Sequence, residues 1–284
     1  MSPSTEPAPA ALTYATIATQ PVRSDIQGIA LYVHHVAYVE DGTRLVLMDW
    51  RTGARRTVLR AVYGSLSLLA TSGRYATVVD HREGPAGDDP AAPRRDLGLD
   101  LVTGATSPVR LPVGDTVVGS LNDARIEVDR PRHEDLSEPW RANLVLVDQQ
   151  PDPDVPRRPV TTNGLVVEAA FDGKHQVVWT QRKRHSDADP GSVWTLDLFR
   201  PELGARRVTA RGGVPYSPVI GDGFVGWVED GMRLRLAPVA GGPVLRVPGH
   251  LGWGTEPSAD RQLVAFVARD HGVSTLQVIR VEVP

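Results

Sequence analysis

Cysteine is absent from the 284-residue chain, which excludes disulfides, thiolate catalysis and cysteine-bound metal. Lysine is almost absent: Lys174 and Lys183 are alone, and the other basic residues are arginine. A GC-rich genome accounts for that bias, with arginine chosen for phosphate or carboxylate recognition as the sharper alternative. Charge of one sign is also missing. The 31 basic and 34 acidic residues are interspersed and leave a net −3, which argues for neither nucleic acid nor an anionic membrane as partner. No apolar run reaches membrane-spanning length. The start, MSPSTEPAPAALTYATIATQPV, has neither the basic head nor the apolar centre of a signal peptide. A soluble, cytoplasmic protein is expected, with residues 1–11 as a flexible leader to one domain spanning 1–284.

Helical signals are scarce, while 24 prolines and 27 glycines are spread along the chain. What is there is a succession of short β-branched, alternating runs: VAYVE, RLVLMDW, YATVVD, RIEVD, NLVLVDQ, HQVVWTQ, VWTLDLF, FVGWVE, LVAFVAR and LQVIRVEV. They fall into units beginning near Ile26, Gly64, Gly114, Asn163, Tyr216 and Gly254. The spacing of roughly 40 to 50 residues suits four-stranded propeller blades. Four turn-and-strand echoes mark the same place in successive units: MDWRTGARRTVLR, LDLVTGATSPVRL, LDLFRPELGARRVTA and APVAGGPVLRVP. The spacing predicts an all-β, six-bladed β-propeller of antiparallel blades. The last unit lacks its outermost strand, and LTYATIATQP near the N-terminus is expected to supply it, closing an open edge.

AAFDGKHQVVWTQ, VIGDGFVGWVED and EPSADRQLVAFVAR resemble the repeat of TolB-like six-bladed propellers, in which a Ser/Pro-Asp-Gly turn precedes an apolar strand. ATSGRYATVVD is a weaker version, and Pro-Asp-Gly is never spelled in full. The Gly-His and Trp-Asp marks of WD40 blades are missing. This resemblance implies a fold and leaves activity open, because one fold hosts many functions.

In such a blade the turn between second and third strands, and the connection to the next blade, share one face. Loops there converge on the channel mouth, where ligands are expected. VEDGTR and VEDGMR are minimal versions of that turn, with Asp-Gly as the tight-hairpin signal. Blades two, three and four instead carry long charged connections at 80–96, 129–143 and 181–192, expected to form a canopy over one side of that face. His81, His133 and His185 lie one in each, yet the loops emerge far from the axis, so no metal site is expected. The canopy loop HEDLSEPW offers His133, beside Glu134, and Trp140 as candidate ligand contacts.

The blade-to-blade connections lie nearer the axis and offer Arg23, Asp25, Tyr63, Asp115, Asn163 and Tyr216. GHLGWGTEP adds His250, Trp253 and Glu256, an imidazole, an indole and a carboxylate among glycines, the composition of a small-molecule pocket. Glu168 in GLVVEAA is a candidate carboxylate inside the channel, where burial raises a carboxyl pKa. Nucleophile elbows, phosphate-binding loops and His-Glu-x-x-His are missing, and no cofactor is indicated. Three classes of function stay open. One is a propeller binding a small molecule or peptide at the channel mouth through Trp253, Glu168, Asn163, Asp115, Asp25, Arg23, Tyr63, His133 and Trp140. Another is a metal-free lyase, cyclase or hydrolase with His250, Glu256 and Tyr216 as acid–base groups. The last is a protein-interaction scaffold. A place in a bacterial specialised-metabolism pathway is expected from composition and fold.

Overall fold

A computed structural model describes residues 11–23, 26–82, 93–109, 116–121, 124–129, 142–148, 157–183, 190–209, 213–229, 232–252 and 256–284. Six antiparallel sheets follow one another along the chain. The first blade pairs Ile26–Tyr32, His35–Glu40, Arg44–Asp49 and Arg55–Arg60 in that order. Blades two to five repeat this pattern, with innermost strands Ser65–Ser72, Thr116–Leu121, Val166–Phe171 and Tyr216–Gly221. In the sixth, Ser258–Asp260, Leu263–Asp270 and Val273–Glu282 are completed by the N-terminal strand Thr13–Val22. Thr13 lies opposite Glu282 and Val22 opposite Ser274. The expected six-bladed architecture and its N-terminal closing strand are both present.

The apolar runs follow from where each strand sits. Second strands lie between two neighbouring blades and are buried on both faces, so FVGWVE and HVAYVE read as nearly continuous core. Outer strands such as RRTVLR are mostly exposed and mostly polar. The core is therefore a set of layers between blades: Tyr38, Met48 and Leu276 between six and one, Leu45, Leu66 and Leu99 between one and two, and Trp179 with Phe171 between three and four.

Asp41 and Gly42 both take positive φ (56° and 64°), and the Thr43 N–H closes the turn on the Glu40 carbonyl at 3.2 Å. The signal VEDGTR thus becomes a minimal hairpin. At the opposite face, Asp49 accepts from the Arg51 and Thr52 amides, and Asp100 accepts identically from Val102 and Thr103. A side-chain-closed turn explains why MDWRTGA and LDLVTGA look alike. Arg74 pairs with Asp100 through two nitrogens and holds its carboxyl far below the usual carboxylate range.

Each inner strand packs against the inner strands of the blades beside it, completing a ring. Ring closure is reinforced where the Leu31 amide donates to Ser258 Oγ at 3.0 Å and the Val33 amide to Asp260 Oδ2 at 2.7 Å. Glycines allow the closest approaches. A Cβ on Gly119 would stand 2.7 Å from the Phe171 ring, and one on Gly221 would overlap the Arg261 carbonyl oxygen and the Phe224 ring. Gly221 has no positive φ, so substitution there tests space alone. Gly221→Ala is expected to cost about 3 kcal/mol through overpacking, read as a lower urea midpoint at unchanged slope. A wild-type midpoint would mean that blades five and six are not in this register.

Candidate functional site

Inner strands converge on the axis, and each of the first five is interrupted by a bulge. The register slips between Gln27 and Ile29, Leu68 and Ala70, Val117 and Gly119, Val166 and Glu168, and Tyr216 and Val219. Bulges re-aim side chains next to sites. The sixth inner strand departs further. His250 and Leu251 pair with Arg269 and Ala268, and pairing resumes only at Ser258 opposite Ala265. The Gly252 amide still donates to the Val267 carbonyl at 3.0 Å, and Glu256 stands two residues before pairing resumes.

Glu168 stands just past the bulge of blade four, directly opposite Thr180. Its carboxylate accepts the Ser217 amide from the bulge of blade five. Ser217 holds a left-handed φ of 46°, unusual for a residue with a Cβ. Thr180 is fully buried, and its hydroxyl has no partner among the described residues. Glu256 remains accessible to solvent although protein surrounds most of it. Desolvation first, and then the negative charge of Glu168, push its carboxyl up to about 7. Glu168 and Glu256, far apart in the chain, are electrostatic neighbours.

The other candidates are placed differently. Tyr216 is half-buried between blades five and six, with its hydroxyl donating to Met232 Sδ at 2.8 Å. His250 is exposed at the end of the broken strand nearer the channel rim. Asn163 is exposed and accepts the Leu165 amide at 3.2 Å, closing a local turn. Arg23 pairs with Asp41 at 3.1 Å and with Glu40 at 3.6 Å on the rim. Tyr63 lies outside on the blade-to-blade connection, its backbone amide bound to Asp80 Oδ1 at 3.1 Å. His81 is engaged by Ser67 Oγ at 2.9 Å. Asp25, Asp115, His133, Trp140 and Trp253 lie outside the described residues, as does most of each canopy loop. No cluster of three or more metal-ligating side chains occurs among the described residues.

Sequence reasoning missed two features. Asp80 is fully buried and gathers the amides of Val62 and Tyr63 and the Arg95 guanidinium at 2.6 Å, fixing a blade connection. Its position at the end of strand two, opposite an arginine on strand three, repeats that of Glu40 with Arg44; that Asp/Glu–Arg recurrence was the available signal. The second feature is a cleft of about 740 Å³ on the face away from the VEDG turns, between blades four and five. It is formed by turns distant in sequence, for which no local pattern exists.

No protein-family description matches the chain, and no curated protein matches it. Among solved structures it is similar to an oligogalacturonate lyase in complex with manganese, at 14% identity over 88% of this chain and 74% of that one, TM-score 0.50. It is similar to the Cps50 (Swd1) β-propeller domain of Myceliophteria thermophila at 12% identity over 93% and 99%, TM-score 0.52. The acylaminoacyl peptidase of Pyrococcus horikoshii is matched at 12% identity over 86% of this chain and 42% of that one, TM-score 0.51. Identities this low establish the fold, and the likeness to TolB-like propellers holds at that level.

A raised carboxyl pKa has a consequence for stability. Between the ordinary glutamate range and about pH 7 the folded chain keeps a proton on Glu256 that the unfolded chain has released. Its contribution is complete in acid and lost as pH rises through that window. Glu256→Gln is therefore expected to melt with wild type near pH 5 and above it at pH 8. Melting curves of both at the two pH values check this, and identical behaviour at pH 8 contradicts it.

Proposed function

We propose that the chain is a ligand-binding propeller that takes a small molecule or peptide at the channel mouth, with Glu168 and Glu256 as recognising groups. The observation that carries this reading is the electrostatic proximity of these two carboxylates, with the Glu256 carboxyl pushed up to about 7. Two like charges this close favour a bound cation or a strong hydrogen-bond donor, which relieves their repulsion. An amine-bearing ligand suits them best. The Ser217 amide fixes one carboxylate in place, so recognition starts from a preorganised group.

A second reading is supported by the same pair. A carboxyl near pKa 7 beside a charged one is the arrangement of an acid–base couple, as expected of a metal-free lyase, cyclase or hydrolase. Similar propellers occur in an oligogalacturonate lyase, in a peptidase and in the Swd1 domain, so the fold itself favours neither class.

Calorimetric titration with benzylamine, benzyl alcohol and benzoate at pH 6 and pH 8 tests the proposal. Benzylamine is expected to bind roughly tenfold more tightly at pH 8, where Glu256 has lost its proton, and Glu168→Gln is expected to abolish that binding. Benzoate binding as well as benzylamine would overturn the assignment.

A further inference from the structure

The turn between third and fourth strands is short in plain blades. In blade four it runs from Asp197 through the 3-10 turn Pro201–Leu203 to Arg206, longer than the Asp49-to-Arg56 turn that occupies the same place. This extension projects Phe199 and Leu203, which are 61% and 68% exposed, and raises one wall of the 740 Å³ cleft. Phe199 is braced by stacking on His175 with ring centroids 5.5 Å apart. The cleft floor is apolar, made by Leu196, Pro238, Val239 and Val283. Such a volume lies in the range of small-molecule sites.

Charge is distributed unevenly along this cleft. Asp197 is engaged: it accepts the Phe199 amide at 2.9 Å and pairs with Arg200 Nε at 3.0 Å. Arg206 donates through Nη2 to the Ala240 carbonyl, a staple between blades four and five. It has no carboxylate partner among the described residues, and it lines the cavity, with N–H groups beyond the one given to Ala240. In blades one and two the equivalent Arg56 donates likewise to the Thr103 carbonyl, and the Gly104 turn sits close against Val58 and Leu47. Between blades four and five the same staple instead borders an open cleft.

The geometry points to a second binding site in this cleft, for a small amphipathic anion with an apolar body and one carboxylate or sulfonate. The body lies on the Val239 and Val283 floor, beneath Leu203. The acid group meets Arg206, with Arg200 at the rim. This site opens on the face away from the VEDG turns and is independent of the channel pair.

The probe is 8-anilinonaphthalene-1-sulfonate, with fluorescence read against concentration on the full chain. Expected is saturable one-to-one binding, displaced by decanoate and not by decyltrimethylammonium. Arg206→Gln keeps a donor for the Ala240 carbonyl but removes the charge, and is expected to weaken binding about tenfold. Ala240→Trp places an indole in the cleft and is expected to abolish binding, with melting temperature and circular dichroism as in wild type. Binding unchanged in both variants, equal displacement by the two decyl compounds, or no saturable binding would each overturn the assignment.

Discussion

Closure of the inner-strand ring is the constraint on which the rest of this molecule depends. A blade has apolar side chains on both faces of its second strand, so no blade is stable without neighbours on each side. Only a complete circle satisfies all six. The Thr13–Val22 strand makes the circle complete by pairing with Val273–Glu282, while Gln20 donates to the Trp50 carbonyl of blade one at 3.0 Å. The N-terminal strand thereby covers the backbone edge of Val273–Glu282 that would otherwise be open.

The same closure produces the unusual electrostatics of the channel. Six strands converging on an axis leave little room, and close approach is relieved by bulges and glycines. One bulge presents the Ser217 amide to Glu168, and Glu256, just before the sixth inner strand, lies within reach of the Glu168 charge. Like charges are thereby held together in a partly desolvated space, which raises the proton affinity of Glu256. The fold itself, rather than any local motif, brings the two carboxylates together.

Much of the architecture was legible because it rests on local physics. Second strands read as apolar runs through burial on both faces. The Asp41–Gly42 hairpin and the Asp49 and Asp100 turns follow from backbone and side-chain preferences that sequence carries directly. The missing outer strand of blade six was legible too, since TYATIATQPV has the alternation of a strand. Glu168 could be nominated because a carboxylate in an otherwise apolar inner strand stands out. Its partner amide, 49 residues away, could not, because bulge position depends on packing between blades. The sixth unit, expected to begin near Gly254, has its inner strand at Ser258–Asp260, while the short pairing at His250–Leu251 before it was not legible. The opposite-face cleft was illegible for a related reason: its walls come from the turns at 197–206 and 238–241 and from Val283 and Pro284.

The central claim is that the channel forces one carboxyl to keep its proton near neutral pH. Carbon-13 NMR of glutamate side-chain carboxyls across pH 3 to 9, assigned through Glu256→Gln, tests it most directly. The expected resonance titrates near 7 and moves down toward the ordinary glutamate range when Glu168 is replaced by Gln. A Glu256 carboxyl that titrates like an exposed glutamate, with or without Glu168, would contradict the claim.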